Sequence, residues 1–144
     1  MKINLDKVLK ICNDMNVAIG ANNDSKNTIC NLAKRYIVIS PIEFVEVSSD
    51  VGYPIQEVAD IIILHELGHF MAIDYQDEDL ALLNMKEIGK DSSNAMDILY
   101  VENKAWEYAE ELFNNHFPDG DSLLFKRIKR YALDTYVENY LGNL

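Results

Sequence analysis

The stretch Ile61-Ile62-Ile63-Leu64-His65-Glu66-Leu67-Gly68-His69 constrains this chain more than any other. It lies in a segment predicted to be one long helix, from about Gln56 to Ile73, with Pro54 placed where a helix entry tolerates it. Four consecutive aliphatic residues leave no polar side to that helix, so it is expected to be central and buried on several sides. Two imidazoles and a carboxylate then enter the interior with it. Burying such groups is costly unless a shared partner satisfies them. His65 and His69, at i and i+4, share one helix face about 6 Å apart along the axis, so both can reach a single metal ion. Glu66 is rotated by about 100° from His65, beside the ligands rather than among them, where it can take a proton from a water held there. Two neutral imidazoles with an open position suit a catalytic zinc. The competing reading, a core helix whose histidines make only structural hydrogen bonds, leaves all three groups without that partner.

A third ligand is needed. In the helix expected from Ala95 to Asn115, Ala95, Ile98, Leu99, Ala105, Trp106, Ala109, Leu112 and Phe113 form an apolar stripe. Glu102 falls on that stripe, whereas Asp97, Glu107, Glu110 and Glu111 fall away from it and read as solvated surface. A lone carboxylate on a core-facing stripe wants a cation, the same metal or a buried Lys, unless it caps a loop. His116, near Pro118, is the other conceivable ligand and reads as surface at a helix end.

Around these helices the chain reads as α+β. A helix is expected over Leu5 to Met15, a turn cluster from Gly20 to Ser25, and two short strands at Thr28 to Leu32 and Tyr36 to Ser40. They make a small, mostly antiparallel sheet packed on the central helix. Pro41 to Ser49 reads as a short connecting segment, Asp74 to Asp79 as an acidic break, Leu80 to Ile88 as a short helix and Gly89 to Asn94 as a loop. A last helix is expected from Ser122 to about Tyr140, with Leu124, Ile128, Tyr131 and Thr135 along one face. The 144 residues are expected to form a single domain, residues 1–144, with no repeat or linker.

His65-Glu66-Leu67-Gly68-His69, followed by Glu102, Ala105, Tyr108-Ala109 and Leu112-Phe113, resembles the ImmA/IrrE family of zinc metallopeptidases. That family couples an HELGH-type helix to a later helix of the form E-x-x-A-x-x-[FY]-A-x-x-L-[LF]. The resemblance covers about Tyr36 to Phe113, and the second motif is its more specific part. It implies a minimal zincin-like metallopeptidase domain with a sheet edge along the peptide-docking cleft. It also implies His65, His69 and Glu102 as ligands of Zn2+, a gluzincin-type set, and Glu66 as catalytic base. Many members cleave a helix-turn-helix repressor, so a protein substrate, such as a basic DNA-binding repressor of a phage or mobile element, is the expected partner.

Charge agrees with such a partner. The formal net charge of −11 disfavours nucleic acid and anionic membrane surfaces and favours cationic proteins. The cluster Lys126-Arg127-Ile128-Lys129-Arg130 is the local exception and reads as a solvated helix face. Cys12 and Cys30 read as reduced, partly buried thiols. The N-terminal charges do not suit a secretory signal and no apolar run spans a bilayer, so a cytoplasmic location is expected. Tyr100, Tyr108, Tyr131 and His116 are candidate donors to a developing oxyanion, with core packing the default for each tyrosine. Two rivals remain at this stage. One is a non-catalytic, zinc-containing interaction protein of anti-repressor type; the other is an amidase acting on a non-peptide bond.

Overall fold

A computed structural model describes residues 2–75 and 95–141. The expected acidic break beyond Tyr75, the short helix at Leu80 to Ile88 and the loop at Gly89 to Asn94 lie outside the described residues. The described elements are α1 (Asp6–Asp14), β1 (Ala18–Ala21), β2 (Ile29–Asn31), β3 (Tyr36–Ile39), α2 (Pro41–Val51), α3 (Ile55–Asp74), α4 (Ala95–His116) and α5 (Ser122–Tyr136). A π-helical turn, Val137–Leu141, continues α5. The class is α+β, as the sequence predicts.

Helix α3 is the axis of the molecule. Every residue from Ile61 to Ala72 is buried, and α1, α2, α4 and α5 all pack against it. The surrounding core comes from Val8, Ile11 and Cys12 on α1, Ile37 and Ile39 on β3, Phe44 on α2, Trp106 and Phe113 on α4, and Leu124, Phe125 and Ile128 on α5. The helix thus buries on all sides what its sequence makes apolar on all sides.

The sheet is mixed rather than mostly antiparallel. Its order is β1-β3-β2: β1 runs parallel to β3, with Ala18 opposite Tyr36 and Ala21 opposite Ile39, and β2 runs antiparallel to it. The chain leaves β1, forms β2 on the far side, turns through residues 32–35 and enters β3 between them. That course makes β1 parallel to β3 although only a short segment joins them. Strand β1 takes in Gly20 and Ala21, which the sequence assigns to a turn. Arg35, at φ 50°, closes the turn. Its guanidinium donates to Asp74 at 2.8 and 3.0 Å and to the carbonyl oxygens of Met15 and Asn16, tying the sheet and α1 to the end of α3.

The segment read as a connection after Pro41 is in fact helix α2. Ser40 caps it, accepting from the Glu43 N–H at 3.1 Å, and Pro41 occupies the first turn, where a missing N–H costs nothing. Gly52 ends it at φ 74°, a left-handed position that favours glycine. Among the described residues, no helix is long and apolar enough to cross a membrane.

Candidate metal centre

Helices α3 and α4 meet almost backbone to backbone. A Cβ added at Gly68 would lie 2.9 Å from the carbonyl carbon of Ala105 and closer still to its oxygen. Only glycine permits that approach. Glu102 lies one turn before Ala105, so the contact carries its carboxylate to the two imidazoles.

The resulting geometry brings together the three residues expected as ligands. Glu102 Oε2 lies 2.7 Å from His65 Nε2, and Glu102 Oε1 lies 3.4 Å from His69 Nε2. One ligand atom from each of His65, His69 and Glu102 falls within 4.8 Å of the others, and all three residues are buried. A tetrahedral ion with bonds of about 2.0–2.1 Å sets its ligand atoms about 3.3 Å apart, a spacing bracketed by the two His–Glu distances. The donor set therefore fits a divalent metal ion. Glu66 lies beside the group, its Oε1 3.5 Å from His65 Nδ1.

Electrostatics supports the same view. Burial alone lowers the imidazole pKa values, but the Glu102 carboxylate overrides it and raises His69, and raises His65 to about 10. Glu102 is held well below the usual carboxylate range: burial opposes ionisation, and the charges of His69 and His65 outweigh it. Without an ion the imidazoles supply the positive charge that this carboxylate demands.

His65 and Glu66 face a cleft of about 490 Å³. Its walls are helix faces at three- and four-residue spacing: Ile62, His65 and Glu66 on α3; Glu43, Glu46 and Val47 on α2; Ile128, Tyr131, Ala132 and Thr135 on α5. Residues 26–29, including Ile29 of β2, close another side. Trp106 stacks flat on His65, with centroids 4.3 Å apart and planes 9° apart, and its Nε1 is buried with no hydrogen-bond partner among the described residues.

Two further residues lie at this centre, where the sequence gives no sign of placing them. The Cys30 thiol is pushed far above its ordinary range by burial and by the neighbouring charge of Glu66, so it stays protonated. Burial, then the charge of Glu66, raises Glu43 to about 7, against the lowering effect of hydrogen bonds from Thr28. Nothing local in the sequence marks either, because strand β2 and helix α2 reach Glu66 only through the tertiary fold. Of the oxyanion candidates, only Tyr131 lines the cleft, and its hydroxyl donates to Asp50 Oδ2 at 2.6 Å. Tyr100 is exposed rather than packed in the core, Tyr108 stands edge-on to Tyr75, and His116 is exposed at the end of α4. Glu107 and Glu111 are exposed, as are Lys126, Arg127 and Arg130.

Compared with known proteins, the chain matches no family model, no curated protein and no solved structure.

Proposed function

We propose that this chain is a zinc-dependent endopeptidase of zincin-like fold, hydrolysing a peptide bond in a protein substrate. One observation carries the reading: a buried His65–His69–Glu102 group with Glu66 beside it, where α3 forms the wall of an open cleft. His65, His69 and Glu102 would hold the ion. When bound, zinc lowers the pKa of water and polarises the scissile carbonyl. Glu66 takes the proton of the attacking water as the C–O bond forms and returns it to the leaving amine as the C–N bond then breaks. Trp106, flat against His65, fixes the ring plane and shields one of its faces from solvent. A non-catalytic interaction protein has no use for a carboxylate at the position of Glu66. The net charge of −11 and the ImmA/IrrE resemblance point to a basic substrate, such as a DNA-binding repressor.

The test compares wild type with Glu66→Gln, loaded with zinc and incubated with a cognate repressor. Both proteins are expected to hold about one zinc per chain, with cleavage falling by about 10²–10⁴-fold in the variant. Equal cleavage by the two would remove Glu66 from the mechanism. A wild type that takes up no zinc would remove the enzyme.

A further inference from the structure

The cleft is chemically lopsided. Three carboxylates line it, Glu43, Glu46 and Glu66, against one ammonium, that of Lys26 on an exposed loop. Among the described residues neither Glu43 nor Glu46 takes part in an ion pair. Glu66 is occupied by its role beside the metal centre, but Glu43 has no such duty. It is half-buried, held by Thr28, and lines the same cleft as His65 and Glu66. Holding a carboxylate there without a cation costs free energy that a solvated position would not.

The rest of the wall says what kind of cation fits. Val47, Ile62, Ile128 and Ala132 give the cleft an apolar side, which suits a methylene stem that ends in a charge. A small inorganic cation would leave that surface uncovered. A second, independent observation concerns Trp106, which lines the same cleft at 1% exposure with no acceptor for its Nε1–H among the described residues. Buried donors are nearly always satisfied, so the unmet Nε1–H marks this wall as incomplete without a ligand, one whose entry shifts the indole enough to admit a carbonyl oxygen. A peptide residue with a basic side chain brings both a carbonyl and a cation on an aliphatic stem.

We infer that Glu43, assisted by Glu46, forms a subsite for a lysine or arginine side chain adjoining the bond to be cut. The inference rests on the peptidase reading for the peptide, but its test needs no turnover. The catalytically disabled Glu66→Gln protein, with its zinc content measured, is titrated calorimetrically with short peptides that differ only at one residue: lysine, arginine, norleucine or glutamate. Peptide hydroxamates with lysine or norleucine side chains are titrated in parallel, to anchor the ligand at the metal.

The basic ligands are expected to bind at least about tenfold tighter than norleucine, with glutamate weakest. Adding Glu43→Gln should shrink that ratio to about threefold or less, and adding Glu111→Gln, an exposed change on α4, should leave it intact. Equal binding of lysine and norleucine ligands would overturn the subsite, as would a preference that survives Glu43→Gln. No measurable binding of any peptide or hydroxamate to zinc-loaded protein would overturn it too. The two readings fail separately. A lysine preference without cleavage by wild type leaves the subsite and removes the peptidase, whereas cleavage without preference does the reverse.

Discussion

Gly68→Ala perturbs one atom and reaches the whole metal centre. The added Cβ would lie 2.9 Å from the Ala105 carbonyl carbon, 3.3 Å from its Cα and nearer still to the carbonyl oxygen. These are backbone atoms, so no side-chain rotation relieves the clash. Restoring ordinary contact requires α3 and α4 to separate by roughly 1 Å, and overpacking of that kind costs about 1–3 kcal/mol. Alanine returns up to about 1 kcal/mol through its better helix propensity, which leaves a net loss of about 1–2 kcal/mol. For a chain of this size that is a fall of roughly 3–8 °C in Tm. The same separation draws Glu102 away from His65, now 2.7 Å apart, while a metal site tolerates only about ±0.2 Å in its bonds. Zinc affinity should fall at least about tenfold, the scale seen when groups that support metal ligands are disturbed. Thermal melts with and without zinc read both effects, because an ion bound only to the folded state raises Tm by mass action. Unchanged Tm together with an unchanged zinc-induced rise would refute the idea that this helix contact sets the site.

Arg35→Ala removes a two-pronged ion pair with Asp74 and two bonds to carbonyl oxygens, so it should lower stability in urea by about 1–2 kcal/mol. Lysine in its place should recover only part of that, and full recovery would show that charge alone matters. Burial raises Asp60 to about 6, and its Oδ1 has no partner among the described residues. A folded pKa above the unfolded value near 3.9 means a contribution fully present below that value and lost as pH rises through about 6. Discounted for partial exposure, the loss is about 1 kcal/mol. Asp60→Asn should therefore be more stable than wild type at pH 8 and not at pH 4; no gain at pH 8 would refute it. For the imidazoles, raised in the metal-free protein, the contribution of pairing with Glu102 is complete below about pH 6.5 and fades as pH climbs through about 10 for His65. Zinc needs them neutral, so calorimetry near pH 7.5 in buffers of different ionisation enthalpy should show release of at least about one proton per ion, that of His65. Zinc uptake with no proton release would mean the pair is already neutral.

How much of this was legible beforehand differs by element. Helix α3, its His65-Glu66-x-x-His69 group and the inward turn of Glu102 follow from spacing alone, because helical periodicity is local and the apolar stripe names its own outlier. Helix α2 was missed although Ser40-Pro41-Ile42-Glu43 carries start signals. Its Ile42-Glu43-Phe44-Val45-Glu46-Val47 run mixes strand-like alternation with β-branched residues, and the cap, not the propensity, decides. The parallel pairing of β1 with β3 was out of reach for another reason. Register and direction are set by partners distant in sequence, and Gly20 and Ala21 are weak strand formers. Cys30 and Glu43 join the site only because the sheet and α2 fold over α3, so no spacing rule exposes them.

Trp106 is the only tryptophan in the chain, and its ring rests on the imidazole of His65, one of the three residues that could hold a metal ion. All indole emission from this protein therefore originates at the candidate metal centre. Contact with a protonated imidazole drains an excited indole, whereas a neutral ring does so far less. Zinc arrival, chelator removal and filling of the cleft should each change that light in an unlabelled sample. The molecule is its own gauge of occupancy.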